Sequence, residues 1–391
     1  MIKILEGLSY RDLQILNIIR KTGPITKKDL QIIANIKLTT LNRVMKTLEN
    51  KKVIMGYGES ESTGGRKSVE YDVYQTGFYV IGIDLSRTYV KLILSNMKLT
   101  ILKKEEFLMD ASYSPKKTVE KLIFIIEQML FDLSIAKNEV LGIGIGTVGP
   151  IDRVKGTIIN PKGFFNKNWV NVPIKAMLEE SLSFPCFIDN GANTAVLAEY
   201  LYGLGKDMRS VVYIHCGIGL RSAIITDGNI IRMMNDKEDA FGHMIVEHNG
   251  EKCTCGNCGC IQSYSSIDSI IKKINIELKD NKTLVNEINY KEPLKSEILN
   301  KVASVEIINK GAEILGVGLA NLVRLMNPEL IVLSGPLIMN FKHYYEKSIE
   351  SFHCNNPMDN KVIFSKGGRF QEDVIALGAA VMVMESYLKS I

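Results

Sequence analysis

Four of the seven cysteines in this 391-residue chain fall within one short segment, at Cys253, Cys255, Cys258 and Cys260. A disulfide framework would distribute its cysteines through a small secreted domain, so the segment indicates a metal site. Zinc prefers a tetrahedron of nitrogen and sulfur ligands, and a site with four protein ligands is structural. Because Cys255-x-x-Cys258 is also a good ligand spacing, the spacing alone leaves the choice of ligands open.

The length of the chain suits two or three domains, each with a core of its own. Hydrophobic residues make up 46% of the chain and charged residues 23%, which excludes a largely disordered protein. The start of the sequence lacks the apolar core of a signal peptide, and no run reaches the roughly 18 apolar residues of a membrane span. We therefore expect a cytoplasmic protein without a membrane partner.

The positive charge of the chain is concentrated at its N-terminal end. Residues 1–58 contain 11 lysines and arginines but only 4 acidic residues, whereas residues 78–391 contain 35 of each. A basic segment next to a neutral body indicates that nucleic acid binds to the segment.

Residues 1–75 have the element order of a winged helix-turn-helix domain. Apolar spacing predicts a helix over 10–22 that ends at Gly23-Pro24, and a capping motif at Thr26–Asp29 begins a second, short helix. Its expected inner face is Leu30, Ile33 and Ala34. A third helix, capped by Thr39 or Thr40, buries Leu41, Val44, Met45 and Leu48, and two strands follow over 53–57 and 69–73.

The third helix is the expected recognition helix in a DNA major groove. There Asn42 and Arg43 can reach base edges and Lys46 can reach a phosphate. The expected DNA-binding residues lie on the second helix, the third helix or the wing: Lys27, Lys28, Thr39, Thr40, Asn42, Arg43, Lys46, Arg66 and Lys67. The alternative is a small helical bundle whose basic surface is only solvated.

Residues 76–391 alternate between strand and helix patterns, which predicts an α/β fold of two lobes with a cleft between them. The predicted strands are 79–85, 90–95, 100–107, 141–146, 186–188, 210–215, 222–225 and 330–333. The predicted helices are 115–133, 192–201, 265–279, 302–326 and 375–388.

Several motifs together resemble the ROK family of repressors, open reading frames and kinases. The most specific is Gly242-His243 followed by the Cys253–Cys260 run, which is similar to the family's zinc motif. The motifs at 62–67 (STGGRK), 144–150 (GIGTVGP), 190–193 (NGAN) and 376–380 (ALGAA) stand in the family's order. A winged helix in front matches the family's xylose-repressor-type regulators.

The resemblance implies an actin-like, ribonuclease-H-like ATPase fold of two lobes over residues 76–391. It also implies that a zinc-binding segment, 240–262, holds a structural Zn²⁺ through His243, Cys253, Cys255 and Cys260. The family pattern has no ligand at the position of Cys258, so that residue is left out of the expected set.

The motifs depart from those of the family's kinases, in which an Asp base assists attack of a sugar hydroxyl on ATP. Gly191 replaces that base in the Asn190–Asn193 segment. The first phosphate loop, 84–88 (DLSRT), lacks both expected glycines, and the second, 217–221 (GIGLR), ends in Arg221. Ser334-Gly335-Pro336 replaces a glycine-rich run near the adenosine. We therefore expect no enzyme activity, a sugar kinase being the alternative.

The family's sugar-binding carboxylates are also missing, because Gly191, Ala240 and Gln262 stand in their places. Expected effector contacts that remain are Asn190, His243 and Gln262. Two explanations stay open. Either the effector is an anionic or phosphorylated sugar, or effector binding has been lost and the protein binds DNA independently of one. Arg87 and Arg221 suit an anionic effector, the alternative being that both are surface arginines on turns.

The resemblance implies a DNA-binding regulator that represses carbohydrate-use genes, such as those of xylose metabolism, under the control of a sugar or sugar derivative. One recognition helix reads too few bases for genomic selectivity, so we expect a homodimer on a pseudo-palindromic, A·T-rich operator in double-stranded DNA.

Overall fold

A computed structural model describes residues 5, 7–59, 68–232, 240–277, 302–356 and 361–388. Within these, the chain forms two compact units. The first combines Met1–Asp189 with Ala376–Ile391, and the second is Asn190–Ile375. The predicted wing residues Arg66 and Lys67, together with the rest of the 62–67 motif, lie outside the described residues.

The N-terminal segment has the predicted order of helices and strands. Its elements are α1 (Tyr10–Thr22), β1 (Ile25–Thr26), α2 (Lys27–Ala34), α3 (Leu38–Asn50), β2 (Ile54–Glu59) and β3 (Val69–Val73). The three strands pair in the order β1-β3-β2, and the short β1 was not anticipated. The amphipathic period of α3 is confirmed, because Leu41, Val44, Met45 and Leu48 are all buried.

Two details of this segment differ from the sequence prediction. Neither Thr39 nor Thr40 caps α3, because Lys37 takes the extended N-cap conformation and both threonines lie within the first helical turn. Ile33 is not on the inner face of α2 but is 54% exposed. Only Leu30 of this two-turn helix is buried, since so short a helix packs along a narrow strip.

The first unit also contains a five-stranded mixed sheet. Its strands are β4 (Tyr79–Leu85), β5 (Tyr89–Asn96), β6 (Ile101–Leu108), β7 (Val140–Thr147) and β10 (Cys186–Asn190), ordered β10-β7-β4-β5-β6, and the short pair β8 (Ile151–Asp152) and β9 (Thr157–Ile158) lies apart from it. Helices α4 (Pro115–Asp132) and α5 (Ile174–Leu182) contribute to its apolar core. The C-terminal helix α12 (Val374–Leu388) backs the sheet, where its backbone approaches Gly82 and Gly144.

The second unit repeats this plan. Strands β11 (Ser210–Cys216), β12 (Leu220–Thr226), β13 (Asn229–Ile230), β14 (Leu330–Ser334) and β15 (Ile363–Lys366) form a sheet ordered β13-β12-β11-β14-β15. Its helices are α6 (Gly191–Tyr202), α7 (Gln262–Ser265), α8 (Ile267–Glu277), α9 (Val302–Met326), α10 (Pro336–Asn340) and α11 (Lys342–Asn355). In the first sheet, β4 pairs antiparallel with β5 and parallel with β7. In the second sheet, β11 pairs in the same way, antiparallel with β12 and parallel with β14.

The winged helix packs on the rest of the first unit through buried charges. The Arg20 guanidinium on α1 forms an ion pair with Glu385 of α12, and Lys21 approaches the same carboxylate at 3.2 Å. Lys98 contacts Asp72 of β3 at 3.0 Å and donates to the carbonyl of Gly23 at 2.8 Å. The N-terminal segment is therefore held to the rest of this unit by specific contacts as well as by its linker.

Among the described helices, none combines the length and apolar character needed to cross a membrane.

Candidate functional site

The recognition helix presents polar side chains on its outer face. Asn42, Arg43 and Lys46 are exposed on α3, as is Thr39, whereas Thr40 is half-buried. On α2, Lys28 is exposed and Lys27 is half-buried, with its Nζ 3.4 Å from Oδ1 of Asn42. This contact links α2 to α3, so the described polar residues form one basic surface across both helices.

The predicted metal ligands come together in one cluster. The ligand atoms of His243, Cys253, Cys255 and Cys260 all lie within 4.8 Å of one another, and we call these four residues the metal cluster. Sγ of Cys255 is 3.7 Å from Sγ of Cys260, and Sγ of Cys253 is 3.5 Å from Nδ1 of His243. Thiolates bound at about 2.3 Å to a tetrahedral zinc lie roughly 3.8 Å apart, so the donor set fits such an ion.

Backbone hydrogen bonds fold the cysteine-rich loop into this shape. The amide of Gly259 donates to the carbonyl of Glu251, and the amide of Ile261 donates to the carbonyl of Met244. Gly259 has a φ of +76°, and a Cβ there would lie 1.7 Å from the carbonyl oxygen of Glu247. Only glycine fits this position, which places Cys260 beside the other ligands. Cys258 is exposed and lies outside the metal cluster.

The thiols of the metal cluster differ in acidity. Burial raises the pKa of Cys253, but the backbone amide of Cys255 and the neighbouring thiols of Cys255 and Cys260 outweigh it and lower the pKa below its ordinary value. Burial, together with the neighbouring thiols of Cys255 and Cys253, raises the pKa of Cys260. A bound dication would favour the thiolate of each ligand, because metal and proton compete for the same sulfur.

The predicted effector residues all belong to the second unit. Asn190 caps α6, its side chain accepting from the amide of Ala192 at 3.0 Å. Oε1 of Gln262 accepts from the amide of Leu220 at 3.0 Å, and the amide of Gln262 donates to the carbonyl of Gly242 at 2.8 Å. Gln262 thus forms hydrogen bonds both with Leu220, at the start of β12, and with Gly242, which precedes His243.

Arg221 lies beside Gly191, the first residue of α6. Arg221 is 8% exposed, and its Nη1 is 3.3 Å from the position that a Cβ would occupy on Gly191. Within the described residues, its guanidinium has neither a hydrogen bond nor an ion pair, and its Nε is fully enclosed. The sequence analysis noted Arg221 as a departure in a phosphate loop and as a candidate contact for an anionic effector, but no pattern in the sequence reports its burial beside Gly191.

The second arginine noted from the sequence, Arg87, has a different environment. It lies in the first unit, where its Nε donates to the carbonyl of Lys162 at 2.7 Å and its side chain rests on Gly163. In the same loop, the hydroxyl of Tyr89 donates to Asp84 at 2.8 Å. Arg87 therefore already serves to fix the neighbouring loop.

Models of two known protein families match this chain, one at its N-terminal end and one over the rest. The model of the ROK family matches residues 80–387, most of the chain. The chain belongs to the ROK family. A model of a winged helix-turn-helix DNA-binding domain matches residues 8–55, which contain α1, α2 and α3. A DNA-binding domain in front of a ROK domain is the organisation of a ROK transcriptional regulator.

Individual relatives include both regulators and kinases. The chain is 27% identical over 328 residues to the xylose repressor of Bacillus spizizenii, covering 82% of each chain. It is 25% identical over 266 residues to a glucokinase of Halalkalibacterium halodurans, covering 66% of this chain and 80% of that one. A solved ROK family transcriptional regulator, a homologue of the E. coli Mlc protein, superposes with a TM-score of 0.76 at 20% identity, covering 97% and 96% of the two chains.

Proposed function

We propose that this ROK protein represses carbohydrate-use genes, with residues 1–75 as its DNA-binding domain and residues 76–391 as its ROK domain. The observation that carries the proposal is the exposed polar face of α3, with Asn42, Arg43 and Lys46. In a helix-turn-helix protein this face enters the major groove. The name of the xylose repressor, whose sequence aligns with most of this chain, supports a pentose or another sugar as the signal.

A homodimer on a pseudo-palindromic operator completes the proposal. One recognition helix contacts only a few base pairs, whereas two helices held by a symmetric dimer read two half-sites about one helical turn apart. The effector binds near Asn190, His243 and Gln262 in the second unit. It acts as a switch by binding with unequal affinity to the DNA-binding and released states.

Phosphoryl transfer is not part of this function. The position of the family's catalytic base is Gly191, which has no group to accept a proton, and the cation Arg221 lies against it. A kinase also needs turns in which the backbone cradles the phosphates. Here the first such turn carries Arg87, bonded to the carbonyl of Lys162. In this proposal the ROK domain binds a ligand but does not catalyse phosphoryl transfer.

The DNA proposal is tested by selecting sites for the full chain from a random double-stranded library and then measuring affinities at fixed salt. Arg43→Ala should weaken binding to the selected site by about 1–3 kcal/mol and relax the preference at one base position, because a bidentate contact is lost. Arg209→Ala, which removes an equally exposed arginine from the second unit, should bind as the wild type does.

Two results would change this assignment. Unchanged affinity of Arg43→Ala at the same salt would remove Arg43 from the interface. An equal loss on every DNA sequence would instead assign Arg43 to a phosphate contact.

We further propose a structural Zn²⁺ held by the metal cluster. It would fasten the cysteine-rich loop to the core of the second unit, since Ile261, next to Cys260, is fully buried there against Gly318 on α9. Such a site contributes directly to folding, because the ligands are brought together only in the folded state.

Two cysteines of the same loop provide a matched test of the zinc proposal. Cys255→Ser should lower the zinc content from about one ion per chain to near zero and reduce the melting temperature of the second unit. Cys258→Ser removes an equally exposed thiol outside the metal cluster and should retain the ion. Zinc content is measured by mass spectrometry of purified protein; equal loss in both variants would contradict the assigned ligand set.

A further inference from the structure

We propose that Arg221 binds an anionic group, phosphate or carboxylate, of the effector carbohydrate, at the first turn of α6. This inference rests on the proposed function and names the ligand class for the same site. Its basis is a buried guanidinium without a counter-charge among the described residues.

The first step is the energetics of Arg221. Arg221 is 8% exposed and its Nε is fully enclosed, so the guanidinium is partly removed from bulk water. An arginine remains charged at any physiological pH, and burying an unpaired charge is unfavourable. Buried cations are therefore normally paired or hydrogen-bonded. Within the part of the chain that the structure describes, Arg221 is neither.

The second step is where the guanidinium lies. Nη1 is 3.3 Å from the Cβ position of Gly191, which is the first residue of the 12-residue helix α6. The N-terminal end of a helix carries a partial positive charge and amides that favour anions. The guanidinium therefore lies beside the positive end of α6. A bound anion would be stabilised by both groups.

The third step is the chemistry of the neighbours. Gln262 uses Oε1 to accept from the amide of Leu220, and its NH₂ group donates to no described residue. Gly191 offers no side-chain acceptor. The Arg221 guanidinium and the Gln262 NH₂ group are both donors, which suits a ligand group that only accepts hydrogen bonds. Phosphate and carboxylate oxygens are acceptors only, and a guanidinium binds both with paired charge-assisted hydrogen bonds.

Inorganic phosphate is the minimal probe for this site. Titration calorimetry of the metal-loaded full chain, against sodium chloride of equal ionic strength, should detect phosphate binding to the wild type. Arg221→Met, of similar length without the charge, should weaken it about 10- to 100-fold, as expected for loss of hydrogen bonds to a charged group. Arg209→Met removes an exposed arginine of the same unit and should bind phosphate as the wild type does.

A second variant approaches the site from the other side. Gly191→Asp places a carboxylate next to the guanidinium of Arg221, where both crowding atoms, Nη1 of Arg221 and a methyl of Ile375, belong to side chains that can shift. The new carboxylate should act as an internal counter-ion and abolish phosphate binding. This variant tests the site even if Arg221→Met folds poorly.

Three sugars that share one ring then distinguish the source of the anion. Glucose 6-phosphate and glucuronate carry a phosphate and a carboxylate, and glucose carries neither. Tighter binding of one anionic sugar than of glucose identifies the preferred group. The proposal is overturned if the wild type does not bind phosphate, if Arg221→Met or Gly191→Asp binds it equally well, or if glucose matches both anions. Site selection on DNA is measured separately, so its failure would count against the repressor function alone.

Discussion

Two buried arginines in this chain have opposite environments. Arg20, in the winged helix, has a side chain with no exposed surface and forms an ion pair with Glu385 of α12. It also donates to the side chain of Asn17 at 2.7 Å. Arg221, in the second unit, is almost as deeply buried but has no counter-charge among the described residues.

The difference separates a cation that serves the fold from one that serves a ligand. The partner of Arg20 lies on the same chain, and the resulting pair joins the DNA-binding segment to the C-terminal helix. The environment of Arg221 is incomplete in the protein alone, which is typical of a site that sacrifices stability for binding. Substitutions at the two arginines or their neighbours should therefore change stability in opposite directions.

The largest effect is expected from removing the partner of Arg20. Glu385→Ala leaves Arg20 and Lys21 near a buried position without their carboxylate, which should lower the free energy of unfolding by about 3–5 kcal/mol. The measurement is urea denaturation followed by circular dichroism. Asp227→Ala breaks the exposed pair with Arg209 and should leave stability unchanged, because solvent screens such pairs. Equal stability of both variants would show that the Arg20 pair is not structural.

A smaller effect of opposite sign is expected at Arg221. Arg221→Met removes an unpaired buried charge but preserves most of the side-chain volume. The free energy of unfolding of the ligand-free chain should stay the same or rise by about 1 kcal/mol. The same denaturation experiment, in phosphate-free buffer, measures it. A loss as large as that of Glu385→Ala would mean that Arg221 stabilises the fold, and the comparison between the two arginines would fail.

The sequence predicted several elements whose buried face consists of apolar residues, although it missed α5, whose buried residues Ile174, Leu178 and Leu182 are also apolar. The inner face of α3 is an example, because hydrophobic spacing reports burial directly. Helix α11 was missed for the corresponding reason. Its buried face includes Ser348 and Ser351, which pack closely against Gly316 of α9, and no hydrophobic pattern marks such a face.

Local signals were less reliable for single positions. A threonine before an apolar run indicates a helix cap, yet α3 begins one residue before Thr39 because the backbone of Lys37 already has the N-cap conformation. The exposure of Ile33 was likewise not predictable, since it depends on which neighbours a two-turn helix meets.

For the metal cluster, the sequence alone identified the donor types, because thiol and imidazole groups within one short segment suit few other roles. It also showed a glycine at position 191, where the family's kinases have an Asp, and the location of the positive charge in residues 1–58. Only the tertiary structure decided which charges are paired. Glu385 lies 365 residues from Arg20 and yet contacts it, whereas Arg221 lies beside Gly191 and pairs with no carboxylate of the described residues. Burial and pairing depend on contacts between distant segments, which residue spacing does not encode.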